Sequence, residues 1–132
     1  MIVVDASALA AIGLPEPDRA AFEIALQAAD VAYLAPINYV EIGIVLVSRG
    51  VFGSKRELDP WLSSLAVEIK EDVELGPAAM EAYLRFGKGF HPARLNLGDC
   101  FAYALAKQLG APLLYKGDDF AKTDIRSALQ PT

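Results

Sequence analysis

Four acidic residues, Asp5, Glu41, Asp99 and Asp118, lie far apart in the chain, yet their local settings suggest a shared chemistry. Asp5 directly follows the β-branched run Ile2-Val-Val4, and Asp118 follows the apolar run Leu113-Leu-Tyr115 after one lysine and one glycine. Either acid alone is explained by a turn or a helix cap. Asp99 falls in the first turn of an Ala-rich helical stretch, where the helix dipole favours a carboxylate. Glu41 has the apolar helical neighbours Ile37, Val40, Ile44 and Val45, which place it on a stripe expected to be buried. No Lys or Arg stands within four residues of Glu41, so its ionised form calls for a metal or for a cation from elsewhere in the fold. Converging carboxylates raise one another's pKa values. Hard divalent cations such as Mg²⁺ or Mn²⁺ relieve that repulsion through oxygen ligation. With one His and one Cys, the chain falls short of a zinc ligand set, and His91 reads as a loop residue or a phosphate contact. An oxygen-only site suits metal-assisted phosphoryl chemistry.

The elements that must position these acids alternate between strand and helix. Ile2-Val-Val4 reads as a strand, after which Ser7 can cap a helix through Ala8 to Ile12 that stops at Gly13 and Pro15. A helix over Asp18 to Ala29, a strand over Val31 to Leu34 and a helix from Pro36 to about Arg49 follow. Ser54 caps a fourth helix to about Leu65, and Val67 to Ile69 forms a strand. Pro77 starts a fifth helix ending near Phe86. Asn96 or Gly98 opens a sixth that ends at Gly110, and Leu113 to Tyr115 is the last strand before a short final helix. This order predicts a three-layer α/β/α fold with a mainly parallel central sheet. Such sheets bind ligands beyond the carboxyl ends of their strands. Twelve helical residues descend about 18 Å, and a strand with its flanks climbs back about 20 Å, so Asp99 and Asp118 return to one edge.

The 132 residues are 54% hydrophobic and 22% charged, which excludes a disordered chain and suits one domain over 1–132. A net charge of −5 argues against a passive nucleic-acid binder. It argues less against a metallonuclease, where bound cations reverse the local sign. The single Cys100 permits no intrachain disulfide. The start of the chain lacks a signal-peptide pattern, and Val31 to Ser48 is broken by Pro36, Asn38 and Glu41, so a cytoplasmic protein with no membrane span is expected.

Four segments together resemble the PIN-domain nucleases, specifically the VapC-type toxins of toxin–antitoxin pairs: Ile2-Val-Val-Asp-Ala-Ser7, Asn38-Tyr-Val-Glu41, Leu95-Asn-Leu-Gly-Asp-Cys-Phe-Ala-Tyr-Ala104 and Leu113-Leu-Tyr-Lys-Gly-Asp-Asp-Phe120. The resemblance implies a PIN-like fold, a Mg²⁺- or Mn²⁺-dependent endoribonuclease, and Asp5, Glu41 and Asp99 as its central acids. Asp118 matches the fourth acid, ahead of Asp119. Ser7 matches a hydroxyl position beside the metal site. Lys116 departs from the Ser or Thr common at that place and is expected to approach a phosphate instead. The resemblance further implies an RNA substrate, a cognate antitoxin protein, and assembly as a homodimer and a toxin–antitoxin hetero-oligomer.

The segment Arg85 to Arg94, which carries Lys88 and His91 and no acid, is a candidate for RNA backbone contact. Ile42 to Val47 and the Trp61-Leu62…Leu65 face are candidates for a groove that takes an antitoxin helix, with Trp61 also placed for a homodimer contact. The alternative is a catalytically silent PIN-like module that binds RNA or protein. Such a module would usually lack part of the acidic set, which is complete here. A haloacid-dehalogenase phosphatase would want an Asp where Ser7 stands, and a receiver domain would want an acidic pair near the first strand's end.

Overall fold

The computed structural model describes residues 1–129. Its elements run β1 (Ile2–Val4), α1 (Ala6–Gly13), α2 (Arg19–Gln27), β2 (Ala32–Leu34), α3 (Pro36–Ser48), α4 (Lys55–Ser64), β3 (Val67–Ile69), α5 (Leu75–Phe86), α6 (Leu97–Leu109) and β4 (Leu113–Leu114), with a 3₁₀ turn over Phe120–Lys122. The four strands are all parallel in the order β3-β2-β1-β4.

Both faces of the sheet are covered, so its strands read as continuous apolar runs rather than alternating ones. Ile2 and Val4 point into a core shared with α1 to α4, through Leu9, Phe22, Leu46 and Leu62. Val3 points the opposite way, into a core built with α5 and α6 around Phe86, Leu95 and Leu105. The period-two pleat of one three-residue strand therefore feeds both layers. This is the expected α/β/α sandwich.

Local chemistry explains most element ends. Helix α6 starts with a capping box in which Asn96 and Asp99 exchange hydrogen bonds, and ends at Gly110, whose left-handed φ of 63° closes the last turn. Helix α5 starts two residues before Pro77, at Leu75. Proline is tolerated there because first-turn N–H groups have no intrahelical partner. At α1 the expected cap moves: Asp5, not Ser7, occupies the N-cap and accepts from the Ser7 amide.

The strand order decides where a site can form. The chain steps from β1 to β2 to β3 in one direction, then crosses back to place β4 on the other side of β1. Connections therefore diverge between β1 and β4, which is the topological switch point of an open parallel sheet.

Candidate active site

Asp5 stands at that switch point. Its backbone amide donates to Leu114 O at 2.9 Å, which ties the end of β1 to the end of β4. Its carboxylate is only 4% exposed. Burial raises its pKa above the ordinary value, while hydrogen bonds from Ser7 and the Ala6 amide oppose the rise.

Glu41 approaches from α3. Asn38, one turn earlier and fully buried, donates from Nδ2 to Glu41 Oε1 at 2.7 Å and to Gly98 O at 3.1 Å. Partial burial raises the Glu41 pKa; the Asn38 hydrogen bond lowers it and the charge of Asp5 raises it. The stripe expected from the sequence is corrected here. The buried row of α3 is Asn38, Ile42 and Leu46, while Val40 and Ile44 face outward at 52% and 63% exposure. Glu41 sits at the margin of the buried face, not in its middle.

Asp99, in the first turn of α6, feels the charges of the other acids. Its pKa is pushed up to about 7, first by burial, then by the charges of Asp5, Asp119 and Glu41, against the lowering hydrogen bond from the Asn96 amide. Its capping function is real, as the dipole argument anticipated. Capping explains its position but not this crowding of like charge.

The candidates for the fourth acid, Asp118 and Asp119, stand side by side after β4. Among the two neighbours it is Asp119, not Asp118, whose charge acts on Asp99. Both are exposed on the turn after β4, where Gly117 takes a φ of 109° that a side chain would resist.

Three carboxylates share one design. Asp5 Oδ2 accepts from Ser7 N at 3.0 Å, Asp99 Oδ2 accepts from Asn96 N at 3.1 Å, and Glu41 Oε1 accepts from Asn38. In each case one oxygen is anchored by an amide and the other is left to serve as a donor. No salt bridge among the described residues reaches Asp5, Glu41, Asp99 or Asp119. Nor do any three acidic, His or Cys side chains among them close into a ready-made one-ion cage. Oxygen donors with oriented second atoms, mutual repulsion and no cation partner fit a hard divalent ion that keeps much of its water, as Mg²⁺ does. The buried and unpartnered Asn38 Oδ1 adds an acceptor at the same place.

The candidate substrate contacts divide. Ser7 Oγ accepts from the Lys116 backbone amide at 3.0 Å and so braces the end of β4. The Lys116 ammonium is engaged by Asp18 at 3.1 Å and Glu16 at 3.5 Å, away from the acidic cluster. In the last turn of α5, Arg85 is turned to Asp124 at 3.6 Å and lies over the Phe86 ring. His91 Nδ1 accepts from the Ala93 amide, and its ring packs edge-on against Phe86. Lys88 and Arg94 remain exposed, with no salt bridge among the described residues. Sequence reasoning missed Asn38 and Gly98 as parts of the site. The signal available was an amide three residues before Glu41 on an otherwise apolar helix.

A parallel α/β sandwich with acids gathered at its switch point defines the class, and the chain belongs to the PIN-domain family, whose model matches residues 2–126. Its relatives are ribonucleases of the VapC kind. It is 43% identical over 131 residues to Ribonuclease VapC30 of Mycobacterium tuberculosis, across 98% of this chain and 100% of that one. It is 46% identical over 125 residues to Ribonuclease VapC of Mycolicibacterium smegmatis, across 94% and 97% of the two chains. The fold is similar to the crystal structure of M. tuberculosis VapC20, a sarcin-ricin loop cleaving toxin, with a TM-score of 0.79 at 18% identity over 99% of this chain and 100% of that one.

Proposed function

We propose that the protein is a VapC-type endoribonuclease, the toxin of a type II toxin–antitoxin pair, that hydrolyses RNA phosphodiester bonds with Mg²⁺ or Mn²⁺ and thereby inhibits translation in the cytoplasm. The observation that carries this reading is the set of anchored, cation-free carboxylates at the switch point of a PIN fold, in a chain whose relatives are named ribonucleases. Asp5, Glu41 and Asp99 would hold the ion, with Asp119 or Asp118 completing the set from the turn after β4. When bound, the ion supplies a Lewis acid that lowers the pKa of water and neutralises charge on the scissile phosphate.

The chain's own groups then have distinct tasks. The amides of Ser7 and Asn96 and the carboxamide of Asn38 fix one oxygen of each acid, so the other oxygen is already aimed before substrate arrives. Lys88 and Arg94, on the loop leading into α6, would contact RNA phosphates without reading bases. In-line attack would leave a 5′-phosphate and a 3′-hydroxyl.

The antitoxin would dock beside α3. Its outward side chains Val40, Ile44 and Val47 line an apolar groove of about 480 Å³ whose wall includes Tyr39, Gly43 and Leu58 of α4. Of the expected stretch Ile42 to Val47, Ile44 and Val47 line this groove, whereas Ile42, Leu46 and Leu62 are core residues and Trp61 packs on Phe52. A cognate antitoxin helix covering this groove, and a toxin homodimer, belong to the same proposal. No helix among the described residues is long and apolar enough to cross a membrane.

The test is cleavage of RNA by the purified protein with Mg²⁺ or Mn²⁺, its loss in excess chelator, and its loss in Asp99→Asn. Mapping RNA ends after expression of both forms identifies the target. Undiminished cleavage by Asp99→Asn, or in chelator, would overturn the reading.

A further inference from the structure

The geometry points to Asn38 as the positioning residue that holds the Glu41 carboxylate in a slot over the first turn of α6, a slot that exists because residue 98 is glycine. The inference rests on the reading of Glu41 as a metal-holding acid and adds how that acid is held.

Two independent observations meet at this place. A Cβ built on Gly98 would land on the Glu41 carboxylate itself, closer than real Cβ contacts come, so the carboxylate, the mobile end of a long side chain, would have to leave its present place. Glu41 thus lies against the backbone of the helix that carries Asp99, in space any other residue type at position 98 would fill. The second observation is the Asn38 carboxamide, fully buried between α3 and α6, whose Nδ2 spans Glu41 Oε1 and Gly98 O.

Both of those neighbours are acceptors, so only the amide NH₂ can face them, and the orientation of the group follows from its surroundings. An aspartate would present oxygens to two acceptors, and an aliphatic residue would offer no donor. Asn38 is therefore chemically matched to the task of clasping a carboxylate to a helix turn. The orientation leaves Oδ1 buried without a protein partner.

The test compares wild type, Asn38→Leu, Asn38→Ser, Gly98→Ala, Glu41→Ala and the Gly98→Ala/Glu41→Ala double variant. Leucine keeps the approximate volume of Asn38 and removes its donors; serine serves if leucine prevents folding. Crystal structures of the ion-free variants should show the Glu41 carboxylate displaced from Gly98 in the Asn38 variants and in Gly98→Ala. Calorimetric titration with Mn²⁺ should show dissociation constants raised about ten-fold in those single variants. In the Glu41→Ala background, Gly98→Ala should have no further effect on Mn²⁺ affinity, because nothing remains for the new methyl to displace.

A Glu41 carboxylate that stays in place without Asn38 overturns the inference, as does wild-type Mn²⁺ affinity accompanied only by a lower Tm. If the wild type binds no Mn²⁺, the metal reading falls by itself. The crystallographic position of Glu41 then decides the function of Asn38.

Discussion

Helix α6 meets acids at two places with opposite electrostatics. At its start, Asp99 is surrounded by Asp5, Glu41 and Asp119 and has no cation partner among the described residues. One and two turns later, Tyr103 and Lys107 turn to Asp124, which accepts from the tyrosine hydroxyl at 2.5 Å and pairs with Lys107 at 3.2 Å and Arg85 at 3.6 Å. The Asp124 carboxyl is held below its ordinary pKa, first by the Tyr103 hydrogen bond, whereas Asp99 is driven up to about 7. Where this fold uses a carboxylate as a strut, it surrounds it with donors and cations. Where the carboxylates are left to repel, as around Asp99, stability is lost, a pattern that buried functional acids share.

The comparison breaks most decisively at Asp99. Asp99→Asn should lower RNA cleavage by 10²-fold or more, on the order of the loss seen when a key electrostatic group is removed, while the ion-free protein becomes more stable at pH 8. Denaturant melts with and without Mg²⁺ check both halves. A variant that loses both activity and ion-free stability would make Asp99 a structural acid like Asp124.

The pH dependence separates the clusters by sign. An acid whose folded pKa lies above its unfolded value binds more protons folded than unfolded, so stability falls as pH rises from about 4 to 7. With solvent screening allowed for, Asp99 contributes a loss on the order of 2 kcal/mol. Mg²⁺ should flatten that slope. Asp124 acts the other way: its contribution is present above the ordinary value of 3.8 and disappears as pH falls through its lowered folded pKa. Melts from pH 3 to 8 should therefore show the ion-free slope become shallower in Asp99→Asn, where Asp5 and Glu41 still contribute, and persist in Asp124→Ala.

Asp124→Ala should cost about 1–2 kcal/mol through the lost charged hydrogen bonds, with Mn²⁺ affinity unchanged. A weakened Mn²⁺ titration would show that the two clusters are coupled through α6. The smallest expected effects lie in the loop between α5 and α6. Lys88→Ala and Arg94→Ala should each weaken RNA binding a few-fold and reduce the salt dependence by about one released counterion. Arg94 has a φ of 55°, a left-handed conformation that strains a non-glycine residue. Arg94→Gly should thus weaken RNA binding like Arg94→Ala but be the more stable of the two.

The sequence by itself determined the order of elements, the parallel sheet and the approach of Asp5 and Asp99 to one edge. Those features follow from local periodicity, capping residues and the fixed rise per residue of helix and strand. It did not determine the facing of α3, which is apolar at Ile37, Val40, Ile42, Ile44, Val45, Leu46 and Val47 and so offers more than one stripe. Only packing against α1 and α6 selected the row Asn38, Ile42 and Leu46 and exposed Val40 and Ile44. The engagement of Lys116, Arg85 and His91 depended on partners brought in from other elements. The clasp of Asn38 on Glu41 and Gly98 joins residues 60 apart in the chain. Its physical basis is two helices pressed together, and a contact of that kind leaves no periodic trace in the sequence of either one.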